Sequence, residues 1–187
     1  ALSTTQQAVL VVDTSADTLD GDTTNLSTLL ASKGADGHIS LREAITAINN
    51  TPVGSQPVII DFDIAGTGVH TITLTSALPG IINPVVIDGT SDDSFAANGS
   101  QPAIVLDVNG AANGLVLSST ASGTTVRGLV IRNFSSAAIV IQAGSSHNLI
   151  AGNYLGALDS SGAFASGLAT SPFAVLVEGD HNQIGGS

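Results

Sequence analysis

The sequence has no cysteine, methionine or tryptophan, and only four lysine and arginine residues stand against 15 aspartates and glutamates. The lack of cysteine excludes a disulfide scaffold and a thiolate metal site. The net charge of −11 leaves no basic face for nucleic acid, which we exclude as a partner. Aromatic residues make up 3% of the chain, so an aliphatic core must come from the 43% that is hydrophobic. That hydrophobic share argues against intrinsic disorder.

Long apolar runs are also missing. A transmembrane helix needs about 18 apolar residues, and runs such as Ala8–Val12 and Val58–Ile60 are far shorter. Residues 1–12 lack the basic start and the long apolar stretch of a signal peptide. We therefore expect a mature chain, a piece of a longer protein, or export without an N-terminal leader. The acidic, cysteine-free composition favours an extracellular or bacterial cell-surface location.

One segment has the pattern of an α-helix. Ser40, followed three residues later by Glu43, forms a capping box. Apolar residues then recur on one helical face, at Leu41, Ala44, Ile45 and Ile48. The sequence therefore predicts a helix over about residues 41–49, whose apolar stripe must pack against another element.

The rest of the chain consists of short β-branched runs separated by turn residues, and its C-terminal half repeats. Gly114–Leu117 is echoed by Ala138–Ile141 24 residues later and by Ala174–Val177 36 residues after that. His147–Gly152 returns as His181–Gly186 at an offset of 34. A period near 24 made of short strands predicts an all-β fold, a right-handed parallel β-helix (solenoid). We expect the one short N-terminal α-helix to cap its open end.

This pattern divides the chain into two regions. Residues 1–57 form an N-terminal cap region that contains the helix, and residues 58–187 form parallel β-helix coils. Because the offsets of 34 and 36 exceed 24, a loop rich in Ser, Gly and Ala is inserted at about residues 157–172. The chain ends in the middle of a repeat, which predicts a piece of a longer protein or end-to-end self-association.

The segment Ala35–Ile45, with the sequence ADGHISLREAI, resembles the DGxxSLREAI signature of CSLREA-type N-terminal regions. Ile39 stands where the familiar form of that family has cysteine. Further segments, within a resemblance that covers roughly residues 9–187, are His70–Ile72, Leu78–Pro79, Val86–Gly89, Val126–Leu129, Asn148–Gly156 and Asn182–Gly186. The resemblance implies a cap followed by parallel β-helix repeats, as in bacterial secreted and adhesin-like surface proteins. It does not specify a biochemistry, because function does not follow from fold.

Aspartates cluster in the cap region, at Asp13, Asp17, Asp20 and Asp22, and Asp36 follows. Calcium takes about six to eight oxygen ligands from carboxylates and carbonyls in flexible loops. Asp20, Asp22 and Asp36 are therefore the candidate calcium ligands, and no other cofactor is expected. The alternative is that these acids cap solvated turns.

The remaining acidic residues provide little support for a catalytic site. Glycan cleavage needs paired carboxylates, and the sequence offers two acid pairs without a nearby cation: Asp61 with Asp63, and Asp92 with Asp93. A net charge of −11 would also repel acidic polysaccharides, so we assign no catalytic residue and do not expect an enzyme.

Two further pairs have simple alternatives. Arg127 and Arg132 flank a strand-like run and would form a small anion patch or remain ordinary solvated arginines. His147 and His181 occupy equivalent repeat positions, where they would begin a zinc site or lie in repeated turns. No third ligand has the spacing that zinc requires, which favours turns.

These observations predict a non-catalytic extracellular structural or adhesive module of a larger bacterial surface or secreted protein, which calcium would stabilise if it binds. Its partners would be a cell-surface glycan or protein, or a second copy joined end to end. The alternative is a carbohydrate-binding domain or a polysaccharide-degrading lyase or hydrolase. A solvent-exposed groove lined by two carboxylates and a cation would favour that alternative.

Overall fold

The computed structural model describes residues 7–54, 56–168 and 173–186. Within these ranges the helices are α1 (Leu26–Ala31), α2 (Leu41–Asn49) and α3 (Asp93–Ala97). The strands are β1 (Val9–Val12), β2 (Val58–Phe62), β3 (His70–Thr73), β4 (Val85–Asp88), β5 (Ile104–Asp107), β6 (Asn113–Leu117), β7 (Thr125–Arg127), β8 (Leu129–Arg132), β9 (Ala137–Ile141), β10 (Leu149–Ala151), β11 (Tyr154–Leu155), β12 (Phe173–Val177) and β13 (Gln183–Ile184).

The strands form three parallel sheets. The six-stranded sheet has the order β1-β2-β4-β7-β10-β13, the four-stranded sheet β11-β8-β5-β3, and the three-stranded sheet β12-β9-β6. From β2 onward, consecutive strands of the chain lie in different sheets. Each strand therefore pairs with one that is distant in sequence, as parallel pairing requires.

The strand registers explain the internal repeats of the sequence. Leu115 lies opposite Ile139, and Ile139 lies opposite Val175, so the three echoed segments are neighbours in one sheet. Leu149 likewise lies opposite Gln183 in the six-stranded sheet. The offsets of the repeats are therefore the pairing distances along the chain.

The three sheets share one aliphatic core. Buried residues from each sheet meet in it, such as Ile87, Ile131 and Ile139, and Phe62 and Phe134 supply buried rings. Strands that are buried on both faces read as continuous apolar runs rather than as alternating ones. This applies to β9, where all five residues are buried.

Helix α2 covers part of this core, and its predicted position is confirmed. It spans Leu41–Asn49, and Ser40 and Glu43 form the capping box expected from the sequence. Its apolar face packs against α1 and β1. Ile39, which replaces the cysteine of the resembled signature, is buried just before the helix, so an aliphatic side chain fills that place.

The predicted fold class, an all-β right-handed parallel β-helix with one capping helix, is wrong. The part of the chain that the structure describes has three parallel sheets of six, four and three strands together with three helices, an α/β-like arrangement rather than a closed all-β solenoid. The repeat predicts which segments pair, but it does not fix how the sheets are joined. Helices α1 and α3 escape sequence analysis because they have six and five residues, too few for an amphipathic period.

Part of the predicted insertion can be described. Residues 157–168 form an irregular segment with an antiparallel bridge between Leu158 and Phe164, and residues 169–172 lie outside the described residues. Of the helices in the described ranges, none combines the length and the apolar character needed to cross a membrane.

Candidate functional site

The predicted calcium ligands lie at turns and accept hydrogen bonds from backbone N–H groups. Asp20 Oδ2 accepts one from Ala35 at 2.6 Å, and Asp22 Oδ1 accepts one from Thr24 at 3.0 Å. Asp36 Oδ1 accepts one from the N–H two residues ahead at 2.9 Å. Within the described ranges, no three or more histidine or acidic side chains are grouped to hold a metal ion. Calcium binding by these residues stays a prediction.

Glu43 links the cap region to the start of α2 through hydrogen bonds. Its buried carboxylate accepts three backbone hydrogen bonds, from Asp20 (2.8 Å) and Gly21 (2.7 Å) at Oε1 and from Ser40 (2.9 Å) at Oε2. Ser40 Oγ in turn accepts a hydrogen bond from the Glu43 N–H at 3.1 Å. The capping box therefore also holds a loop more than twenty residues away, a contact that no local sequence pattern indicates.

The neighbouring Arg42 joins two further segments. Its guanidinium donates to both carboxylate oxygens of Asp17, at 2.9 and 2.8 Å, and to the carbonyls of Ser76 (2.7 Å) and Ala77 (2.9 Å). Burial raises the pKa of Asp17, but hydrogen bonds from Arg42 and Thr75 outweigh it and hold the pKa below its usual range. The Ser-Leu-Arg-Glu motif thus has a structural role, because its polar side chains form hydrogen bonds within the fold.

The candidate binding site is a cleft of about 410 Å³, which we call the Arg127 cleft. Its lining includes Phe95, Pro102, Arg127, Ala151 and Tyr154. Arg127 and Ala151 are opposite one another on β7 and β10, and the alternation of buried residues places them on the face turned away from the core. The cleft therefore opens on the outer face of the six-stranded sheet.

Two acids and the arginine form a row across this sheet. The register places Asp61 opposite Asp88 and Asp88 opposite Arg127. Neighbouring strands lie about 4.8 Å apart, so the row spans about 10 Å. Arg127 Nη2 donates to Asp88 Oδ2, while the Thr90 hydroxyl (2.6 Å) and N–H (3.0 Å) donate to Asp88 Oδ1. Both oxygens of Asp88 are therefore occupied.

The two carboxyl groups respond in opposite ways to this environment. Burial raises the pKa of Asp88, but hydrogen bonds from Arg127 and Thr90 outweigh it and leave the pKa below its usual range. Burial and the neighbouring charge of Asp88 raise the pKa of Asp61, and Arg127 offsets this only in part. The bond to Asp88 also raises the pKa of Arg127, whose side chain remains 52% exposed at the cleft.

The sequence does not indicate this row, because the acid nearest to Asp61 along the chain is Asp63, whereas Asp88 and Arg127 are distant. A detectable signal was the matching pair of Asp88-Gly89 and Arg127-Gly128, each at the end of a strand. A Cβ on Gly89 would lie 2.3 Å from the carbonyl oxygen of Gly128. Glycine is needed there because the two chain segments pass too closely for a side chain.

The wall of the cleft comes from the segment that follows β4. Asp92 caps α3, and its Oδ2 accepts a hydrogen bond from the Ile64 N–H at 2.9 Å. At the other end of α3, Asn98 Nδ2 donates to the carbonyl of Ser160 at 3.0 Å. The second acid pair, Asp92 with Asp93, is thus a helix start whose first acid is buried, and the wall is anchored at both ends.

The two repeat histidines stack instead of converging on a metal. The rings of His147 and His181 are 5.2 Å apart and inclined by 5°. Parallel rings in a stack cannot both direct an in-plane nitrogen at one zinc ion. Both residues have positive φ, 57° and 52°, as expected for equivalent turns.

Comparisons of the chain with protein-family models, curated proteins and solved structures found no match. The resemblance to CSLREA-type regions stays a prediction. The geometry of the chain's own residues must therefore support any functional proposal.

Proposed function

We propose that this chain is a non-catalytic adhesive module of a bacterial surface or secreted protein, and that it binds its partner in the Arg127 cleft. The observation that supports this proposal is a concave site whose lining includes the half-exposed guanidinium of Arg127 and two aromatic residues, Phe95 and Tyr154. Ligand sites commonly combine apolar walls with a few placed polar groups, in volumes of about 300–1,000 Å³. The extracellular location rests on composition.

The frame around the cleft suits binding. Its sheet is part of a continuous core, and α3 is tied at both ends to other segments. The backbone that carries the cleft side chains is therefore held by contacts within the fold. A site that is formed in advance loses little entropy when it binds.

Asp88 is a poor catalytic group because its oxygens are engaged. Glycoside hydrolysis requires one carboxyl group to donate a proton and a second to attack or to activate water. Arg127 and Thr90 occupy both oxygens of Asp88. Binding without cleavage follows more directly from this arrangement.

Polysaccharide cleavage remains a second candidate function because of one observation. Asp61 and Asp88 are neighbours across two strands, and their pKa values are shifted in opposite directions. A carboxyl pair with separated pKa values can divide the roles of acid and base. The two proposals differ in whether sugar is released.

A retention assay on insoluble and immobilised polysaccharides and on bacterial cell surfaces, combined with a reducing-sugar assay, tests both proposals. We expect Arg127→Ala to abolish retention, and Arg132→Ala, which breaks the ion pair with Asp107 outside the cleft, to leave it unchanged. No sugar should be released. Release that is lost in Asp61→Asn would establish cleavage instead, whereas retention unaffected by Arg127→Ala would overturn the cleft as the binding site.

A further inference from the structure

The charges of this chain limit what the cleft can bind. Each of its four cations lies against an aspartate: Lys33 with Asp13, Arg42 with Asp17, Arg127 with Asp88, and Arg132 with Asp107. None of them is a spare positive charge. At the cleft, the charge of Arg127 is matched by Asp88, and Asp61 adds a further carboxylate to the row.

An anionic ligand is disfavoured by this arrangement. Asp88 already balances the charge of Arg127, so an anion would add an uncompensated negative charge beside the row, and it would approach a protein whose net charge is −11. A neutral ligand meets neither obstacle. A guanidinium has five N–H donors, and the bond to Asp88 uses the Nη2 end, so Arg127 can still donate to hydroxyl groups.

The rings in the cleft indicate the shape of the ligand. Tyr154 is the only tyrosine of the chain, and it lines the cleft together with Phe95. A Cβ on Gly162 would lie 3.2 Å from Tyr154 Cε2, so the inserted segment packs closely against this ring. Gly162 therefore limits the space on one side of this ring, while Tyr154 still lines the cleft, where a stacking surface is needed. Flat rings attract ligands that present an apolar face.

From the proposed function of this cleft, on which the inference rests, we infer that the ligand is a neutral carbohydrate. A pyranose has an apolar C–H face for Tyr154 and hydroxyl groups for Arg127. Ala151 and Gly152, which also line the cleft, are small and would leave space for such a ring. A uronic acid has the same ring, but its carboxylate meets the unfavourable charge of the Asp61–Asp88–Arg127 row.

Isothermal titration of the purified chain with maltotetraose, cellotetraose, chitotetraose and tetragalacturonate tests this inference. We expect at least one of the three neutral tetramers to bind, and tetragalacturonate to bind at least about tenfold more weakly. Tyr154→Ala should weaken neutral binding by about tenfold. Tyr154→Phe should retain binding because it keeps the ring, and Phe164→Ala, which removes an exposed ring outside the cleft, should change nothing.

The outcomes separate this inference from the proposed function. Binding of tetragalacturonate in preference to the neutral sugars, or no binding of any neutral tetramer, overturns the neutral-carbohydrate inference. The retention assay with Arg127→Ala still decides the function of the cleft in that case. Equal loss of affinity in Tyr154→Ala and Tyr154→Phe would also overturn the inference, because the hydroxyl and not the stacking ring would then be responsible.

Discussion

Glu43→Gln should destabilise the chain although it preserves the size of the side chain. The carboxylate is fully buried and accepts hydrogen bonds from Asp20, Gly21 and Ser40 at 2.7–2.9 Å. Glutamine can keep the two bonds at Oε1, but its amide group would face the Ser40 N–H, donor against donor. Loss of one charge-assisted bond to a buried donor costs about 1.5–3 kcal/mol. Glu43→Ala leaves three donors unpaired, at about 1–3 kcal/mol each.

Urea denaturation followed by far-ultraviolet circular dichroism measures this cost, because the chain has no tryptophan and one tyrosine. Typical stabilities are about 5–15 kcal/mol, so Glu43→Gln should fold with a lower midpoint and Glu43→Ala should fold poorly. Glu178→Gln makes the same chemical change at an exposed position and is the matched control. A Glu43→Gln protein within about 0.5 kcal/mol of the parent would refute the reasoning, since that is the range of ordinary surface substitutions.

Four further measurements address other parts of the fold. Asp61→Asn should stabilise the protein near pH 7 by about 0.2–1 kcal/mol, because it removes a like charge opposite Asp88. In thermal melts at about pH 3, below the pKa of Asp61 in the unfolded chain, that gain should vanish because the carboxyl group is protonated in both states. A gain that persists there would be inconsistent with the raised pKa of Asp61 in the folded protein. Acid itself should lower Tm as the pH falls below about 4, because hydrogen bonds that outweigh burial depress the pKa values of Asp17 and Asp88; a Tm that keeps rising would exclude this. Gly89→Ala should cost about 1–3 kcal/mol in urea melts, since its Cβ would meet the Gly128 carbonyl, and a neutral effect would show that the strands can separate freely. The calcium prediction requires that EDTA lower Tm, and an unchanged Tm would remove it.

The parts of the fold that can be predicted from the sequence are those with a local or a periodic pattern. Ser40 and Glu43 are three residues apart, so the helix start was visible, and α2 has the expected bounds. The repeats of Leu115, Ile139 and Val175 reflect strand neighbours. The capping box is a short pattern and the strands are a repeated one, so each can be recognised from sequence. The tertiary packing places these segments as the patterns predict.

Contacts between distant segments could not be predicted in this way. Arg127 and Asp88 are 39 residues apart, and their meeting depends on the register of β4 with β7. Periodicity alone does not fix how three sheets are joined, which is why the predicted solenoid was wrong. Residue type and clustering predict calcium ligands among the aspartates of the cap region, but they do not predict which backbone N–H groups these carboxylates face, such as that of Ala35.

The scarcity of cations has a structural consequence beyond the exclusion of nucleic acid. Arg42 is nearly buried and closes the cap region through Asp17, whereas Arg127 is half exposed and orders the cleft through Asp88. Both pairs join segments that are far apart in sequence, so each cation stabilises a contact that the aliphatic core cannot specify. In the Arg127 pair the carboxylate of Asp88 is nearly buried, and the guanidinium is the half-exposed member. The Arg127 pair therefore has two consequences: it gives a nearly buried carboxylate its partner, and it leaves a charge-balanced donor in a cleft that Phe95 and Tyr154 also line.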